Sequence, residues 1–164
     1  MGDAPGNAGT GASDAQVFRS IYPLLRRFAA VTASQDVDPD DLVQDALAAT
    51  LARGPLSGLD HPAAYLRRCI INLESNHRRS RSRARTRERL TSSPSIEHPV
   101  YPSDLDDLAA LEPRQRAILF LFEVEGWPFA RIAELLDEDE ATVRRRATTA
   151  RRQLKLSIEE GTAR

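Results

Sequence analysis

The sequence predicts an all-α fold of two small helical domains joined by a flexible linker. Apolar residues recur every three to four positions in successive segments, which is the spacing of one buried helix face. No stretch shows the strict alternation of apolar and polar residues that is typical of a strand. Residues 91–103 contain three prolines among several serines, with little periodicity, so they separate the two domains.

The first predicted domain covers residues 14–90, after a tail at 1–13 that is expected to be disordered. Its first helix has Ser13 or Asp14 as its cap, and Pro23 is expected to kink or divide it.

Two further helices follow in this domain. Asp38 is the predicted cap of the first of these, ahead of a proline in its first turn. The apolar stripe of this helix runs from Leu42 to Leu51. Pro62 opens the next helix, in which Leu66 and Ile70 belong to the predicted buried stripe. Arg67 and several other polar residues are expected to face outward there.

The second predicted domain, residues 104–160, contains four short helices. The first is indicated by Leu105, Leu108 and Leu111. The second and third each begin at a proline, at positions 113 and 128. The fourth runs from about residue 141.

Composition excludes several classes of protein. No run approaches the roughly 20 apolar residues that span a bilayer, and the N-terminus does not resemble a secretory signal. The single Cys69 cannot form an internal disulfide, and with three histidines it offers no paired zinc-ligand spacing. We therefore expect a cytoplasmic protein with no metal, no cofactor and no membrane association.

The net charge of −1 hides segregated blocks of charge. Residues 76–90 carry seven arginines and one glutamate, and residues 142–155 carry six basic residues and no acid. Residues 97–140 contain twelve acids against three arginines, and residues 36–45 contain five acids and no base. Two basic patches favour one polyanion held at two places, with acidic surface left for a basic partner. Coding bias explains arginine in place of lysine, but it does not explain this clustering.

The stretch from Phe129 onward has the spacing of a helix-turn-helix: residues 129–136, a polar turn at 137–140 and a basic helix. Arginine can bond guanine or phosphate, and threonine can contact phosphate or a thymine methyl group. A solvated basic helix on an ordinary bundle is the less favoured alternative, because its like charges repel unless a polyanion is near.

With these motifs the chain resembles the extracytoplasmic-function (ECF) sigma factors, the small two-domain group of the sigma-70 family. The resemblance covers about residues 14–157 and follows the family's order. It is carried by residues 38–45 and 64–72 for region 2, and by residues 111–119, 132–136, 142–146 and 150–154 for region 4.

The resemblance implies that the acidic helix of region 2 binds the clamp of the largest polymerase subunit through Asp41, Gln44 and Asp45. Acids also stabilise a helix N-terminus, which accounts for Asp40 and Asp41 better than for the other two.

The resemblance also implies that the next helix melts and reads the minus-ten element. Family members hold a flipped base in the preceding loop, here residues 54–61, and Asn72 matches a position that reads the melted strand. The predicted minus-ten residues are Tyr65, Arg67, Arg68, Asn72, Asn76, Arg78 and Arg79. For Tyr65 a role in core packing is an equal alternative.

Region 4 is implied to read the minus-35 element through its last helix. The predicted residues are Arg144, Arg145, Thr148, Thr149, Arg151 and Arg152. Relatives also dock the start of this region on the polymerase flap. Phe120, Phe122 and Trp127 are candidates for that contact, although core packing is the favoured use of all three. The acidic turn at 137–140 departs from the family, which has a small residue and then an apolar plug there.

The sequence thus predicts a sigma factor that binds bacterial core RNA polymerase and promoter DNA and has no enzymatic activity. An anti-sigma factor is a further expected partner, and no appended sensory domain is expected. The alternative is a free-standing helix-turn-helix regulator, which would need neither the acidic segment nor the Asn72 helix. A nuclease would need clustered carboxylates or histidines that the sequence does not offer.

Overall fold

The computed structural model describes residues 13–89, 108 and 110–162, and every regular element among them is helical. The predicted all-α class is confirmed. The predicted tail, apart from Ser13, and the predicted linker at 91–103 lie outside the described residues. In chain order the helices are α1 (Asp14–Thr32), α2 (Pro39–Leu51), α3 (Pro62–Arg89), α4 (Pro113–Leu119), α5 (Phe129–Leu136) and α6 (Glu140–Thr162).

Helix α1 begins at a capping box. The Ser13 hydroxyl accepts from the Gln16 N–H at 3.3 Å, and the Gln16 side-chain oxygen accepts from the Ser13 N–H at 2.9 Å. Pro23 lies inside the helix and does not divide it. Because Pro23 is exposed, the carbonyl that its missing N–H leaves without a partner can bond to water.

Helices α2 and α3 begin at the predicted residues. The Asp38 carboxylate caps α2 by accepting from the Asp40 N–H at 2.7 Å. A 3-10 turn, Leu56–Gly58, joins the two helices, and the fully buried Leu56 anchors it to the core. Both helices pack against α1 and against each other.

The C-terminal helices form the predicted helix-turn-helix. Helix α4 passes into a π-helical turn, Phe120–Val124, and Gly126 then adopts a φ of +68°, which glycine tolerates best. Asp137 ends α5 in the left-handed conformation with a φ of 56°. The buried Val143 and Ala147 pack α6 against α5.

The N-terminal unit (α1–α3) and the C-terminal unit (α4–α6) share one hydrophobic core. Phe28 of α1 meets Phe120 edge to face, with 6.1 Å between the ring centroids. Both rings are almost fully buried. The two units therefore lie in direct contact, an arrangement that the sequence did not predict.

Candidate nucleic-acid interface

The acidic face of α2 consists of Asp41, Gln44 and Asp45, which are all exposed. Within the described part of the chain, none of these side chains makes a hydrogen bond or an ion pair. The neighbouring Asp40 differs, because it accepts from the Tyr22 hydroxyl at 2.5 Å and lies 3.1 Å from the Arg26 guanidinium. The hydrogen bond from Tyr22 is the main cause that lowers the pKa of Asp40. The α2 face therefore carries two carboxylates that no described residue neutralises, while Asp40 is bonded to α1.

Three of the predicted minus-ten residues form their hydrogen bonds within the N-terminal unit. The half-buried Tyr65 accepts a hydrogen bond from Arg53 at 3.3 Å. The Asn76 side-chain oxygen accepts from Arg79 at 3.0 Å, and both residues are exposed. These groups are accessible on the surface of α3 and its neighbours.

The expectation that Arg67 faces outward is wrong, because this side chain is buried and only 1% of the residue is exposed. Its Nη2 atom donates to both carboxylate oxygens of Glu125, at 2.7 and 2.9 Å. The guanidinium also lies over the rings of Phe28 and Trp127, 5.1 and 5.0 Å from their centroids. Burial is the main cause that lowers the pKa of Arg67, and Glu125 opposes it. Residues of the C-terminal unit bury Arg67, and the helical periodicity of the sequence could not reveal this contact.

Three more predicted minus-ten residues also contact the C-terminal unit. Arg68 donates to Asp137 at 3.0 Å, and the Asn72 side-chain oxygen accepts from Arg114 at 3.2 Å. Arg78 donates to the backbone carbonyl of residue 111 at 2.6 Å and lies 3.2 Å from the carboxylate of Glu112. Four of the seven predicted minus-ten residues are thus bonded across the interface between the units.

The loop predicted to hold a flipped base borders a cavity of about 230 Å³. Residues 59–61 of the loop line it together with Tyr65 and Arg68. Glu134 and Leu135 of α5 also line it. The C-terminal unit therefore forms part of the wall of this cavity.

The predicted minus-35 residues lie along α6, and all of them except the half-buried Thr149 are exposed. Arg144 pairs with Glu140 at 2.5 Å, and Arg151 pairs with Glu123 at 2.7 Å. Among the described residues, the side chains of Arg145 and Arg152 make no hydrogen bond or ion pair. The hydroxyl of Thr148 donates to the backbone carbonyl of Arg144 at 3.0 Å. The face of α6 carries four exposed guanidinium groups, two of them without an ion pair among the described residues.

Each acid of the turn at 137–140 has a separate contact. Asp139 caps α6 by accepting from the N–H and the hydroxyl of Thr142, at 2.7 and 2.6 Å, and these bonds lower the pKa of Asp139. Glu138 joins the guanidinium groups of Arg114 and Arg146, at 2.5 and 3.0 Å. Asp137 pairs with α3 and Glu140 with α6, as described above. The turn is therefore held by polar contacts. Those of Asp139 and Glu140 are local and of kinds that sequence spacing can predict, whereas Asp137 and Glu138 reach Arg68 and Arg114 elsewhere in the chain.

The three aromatic candidates for a flap contact have packing roles. Phe120 is in the core, and Phe122 stacks on Phe129 with 4.2 Å between the centroids. The guanidinium groups of Arg67 and Arg131 lie 5.0 and 3.7 Å from the ring centroid of Trp127. Phe120 also lines an apolar groove of about 720 Å³ between the end of α1 and helices α4 and α6.

Two negative findings concern the described residues alone. None of their helices is long and apolar enough to cross a membrane. No group of three histidine, cysteine, aspartate or glutamate side chains among them is placed to hold a metal ion.

These observations define a two-unit helical protein with a helix-turn-helix, a second basic helix and a separate acidic face. Comparisons with known proteins agree with that class. The family model described as Sigma-70 region 2 matches residues 17–84, and the one described as Sigma-70, region 4 matches residues 108–154.

The solved structures that resemble this chain include one that matches most of its length. It is the co-crystal structure of the sigma factor RpoE in complex with the anti-sigma factor NepR from Bartonella quintana. Identity is 24%, the match covers 88% of this chain and 96% of that chain, and the TM-score is 0.63. At this identity the likeness shows a shared fold. A comparison with curated proteins gave no match.

The chain belongs to the sigma-70 family and has the region 2 and region 4 arrangement of its ECF type. It is a sigma factor, which binds bacterial core RNA polymerase and directs promoter recognition and transcription initiation. Sigma factors are initiation factors and not enzymes.

Proposed function

We propose that three surfaces divide the work of this sigma factor. The acidic face of α2 binds core polymerase, α3 with the preceding loop binds the melted minus-ten element, and the exposed face of α6 reads the minus-35 element. The observation that carries this assignment is the pair of unneutralised carboxylates, Asp41 and Asp45, on a face with no partner among the described residues. A regulator that binds only duplex DNA has no use for such a face.

The proposed DNA contacts differ in kind. On α6, we assign Arg152 to phosphate and Arg144, Arg145, Arg151 and the two threonines to base edges. On α3, Asn72 can both donate and accept, which suits the edge of an unpaired base. Tyr65 and the α3 arginines would hold the backbone and stack against bases.

Run-off transcription with purified bacterial core polymerase tests the function. Templates come from a genomic pool and from the region upstream of the coding sequence. Transcripts that require this protein support the assignment and identify the promoter. If there are no transcripts and the protein does not co-elute with core, yet it binds duplex DNA, it is a free-standing regulator.

A matched pair of variants tests the acidic face. Replacing Asp41, Gln44 and Asp45 with alanine should abolish co-elution with core and leave helical content unchanged, because these side chains lie off the buried stripe. Asp40→Ala is the control on the same helix, since Asp40 bonds to Tyr22 and Arg26 instead of facing a partner. Equal core affinity in the triple variant and the control would refute the proposed face.

We also propose a cytoplasmic location, where core polymerase acts, with no membrane association, and an anti-sigma factor as a protein partner. The structural neighbour was solved with such a partner, which supports the second point. Run-off reactions titrated with a candidate anti-sigma protein test it. Inhibition that excess sigma factor reverses supports the partner, and unchanged transcription excludes that candidate.

A further inference from the structure

Two stacked aromatic rings of the C-terminal unit lie beside α6. Phe122 belongs to the π-helical turn after α4, and Phe129 is the first residue of α5. Their rings are parallel to within 7°, with 4.2 Å between the centroids. Both side chains are half-buried, so part of each ring packs on the core and part remains accessible.

Each ring contacts one of the arginines that we assign to base edges. The guanidinium of Arg144 lies over Phe129, 5.0 Å from the ring centroid, and that of Arg151 lies over Phe122, at 5.2 Å. Both distances are within the roughly 6 Å at which an aromatic face attracts a cation. The two arginines are seven positions apart, or about two helical turns, so they lie on the same side of α6.

Each of these arginines is also bonded to one carboxylate. Nε and Nη2 of Arg144 donate to one oxygen of Glu140, at 2.9 and 2.5 Å. The same two atoms of Arg151 donate to one oxygen of Glu123, at 2.9 and 2.7 Å. The carboxylates occupy donors that a base would need, whereas a ring attracts the positive charge without using any donor. The ring contact can therefore persist when DNA replaces the acid.

A ring contact lowers the entropy that an arginine loses on binding. DNA fixes the side chain of an arginine that contacts it, and the lost rotamer freedom opposes binding. An arginine that is already held against a ring has less freedom to lose. Among the described residues, Arg145 and Arg152 have no ring contact. Helix α6 therefore carries two restrained arginines and two unrestrained ones.

We propose that the Phe122–Phe129 stack is a platform that positions two arginines for reading the minus-35 element. It holds Arg144 and Arg151 in place for bidentate contacts with guanine in the major groove, the commonest specific contact between arginine and a base. The proposal rests on the assignment of these two arginines to base edges. The phenylalanines are positioning residues, because they act through the arginines.

The test uses the variants Phe122→Leu, Phe129→Leu and Phe129→Tyr. Leucine keeps an apolar side chain but has no aromatic face, whereas tyrosine keeps the face. Fluorescence anisotropy measures binding of the holoenzyme to labelled promoter duplexes in which each base pair of the minus-35 element is replaced in turn. The ratio of the affinities for the original and the replaced duplex is the discrimination at that base pair.

Each leucine variant should lower discrimination at one base pair only. We expect a loss of about two- to fivefold, the factor that corresponds to an exposed cation–π contact. Phe129→Leu should affect the base pair that Arg144→Ala affects, and Phe122→Leu the one that Arg151→Ala affects. In the Arg144→Ala background Phe129→Leu should have no further effect on discrimination. Phe129→Tyr should keep the wild-type value. The salt slope should stay unchanged in all three phenylalanine variants, because no phosphate contact is lost.

Phe120→Leu is the control for a general loss of stability. This ring lies in the same π-helical turn, but it contacts Phe28 and Arg27 of α1 instead of α6. Its loss should leave base discrimination unchanged. Leucine variants at 122 and 129 that lower discrimination no more than this control, or lower it equally at every base pair, would overturn the platform. If a leucine variant loses helical content in circular dichroism, methionine replaces leucine, since it fills the space flexibly without an aromatic face. The same match with one arginine is then required.

The arginine variants separate this inference from the proposed function. If Arg144→Ala and Arg151→Ala lose discrimination and the leucine variants do not, the arginines read bases without a platform, and only this inference fails. If neither arginine variant loses discrimination, the assignment of these arginines to base edges fails, and the platform fails with it.

Discussion

Removing the charge of Arg152 should change the salt dependence of promoter binding in a calculable way. The side chain is exposed on α6 and has no ion pair among the described residues, so all of its charge is available to a phosphate. Each phosphate contact contributes about 0.9 to the slope of log affinity against log salt. Arg152→Ala should therefore flatten the slope by about 0.9. The loss of DNA affinity that it causes should be roughly 3.5-fold smaller at 200 mM salt than at 50 mM.

Arg144 provides the comparison, because it must leave Glu140 to reach DNA. An exposed pair four residues apart on a helix is worth about 0.3–0.5 kcal/mol, or close to a factor of two in affinity. Arg144→Ala should therefore weaken DNA binding by about twofold less than the loss of an unpaired arginine that makes the same contact. Glu140→Gln should tighten DNA binding by about twofold.

The assay is fluorescence anisotropy with a labelled duplex that carries the promoter found by run-off transcription, measured at several salt concentrations. Arg152→Lys keeps the charge and should keep the wild-type slope. A slope that stays at the wild-type value in Arg152→Ala would refute the phosphate contact. A weaker affinity at constant slope would instead mean that Arg152 reads a base or supports the fold.

Three further predictions concern the fold. The bond from Tyr22 lowers the pKa of Asp40, so the ionised Asp40 stabilises the fold at pH values above its unfolded pKa. This stabilisation is lost as the pH falls through the folded pKa. Acid titrations of unfolding should show the loss in the wild type and not in Asp40→Asn. The Glu74 carboxylate is fully buried and accepts from the Ser34 N–H at 3.2 Å, so Glu74→Ala should lower the free energy of unfolding by about 1–3 kcal/mol in urea titrations. Gly126 has a φ of +68°, so Gly126→Ala should cost about 1–2 kcal/mol in the same assay, and no loss would show that the turn relaxes.

The sequence determined the local structure and the exposed surfaces. The capping box at Ser13, the cap at Asp38 and the helix-turn-helix spacing depend on residues within a few positions of one another, so they are readable without coordinates. The exposed position of the acids on α2 was readable for the same reason. Pro23 does not divide α1, since its exposed position lets the helix continue.

Only the tertiary structure decided how the two units meet. Arg67 follows the polar spacing of α3, yet it is buried because Glu125 and Trp127, about sixty positions further along the chain, cover it. Asp137 contacts Arg68 across 69 positions and bonds to α3 instead of acting as part of a conventional helix-turn-helix turn. Helical periodicity reports which side of a helix is apolar, and it carries no information about which distant polar group can neutralise a charge on the other side. The sequence therefore determined the helices and most of the surfaces of this sigma factor, while long-range burial and charge pairing decided which of those surfaces the folded chain covers.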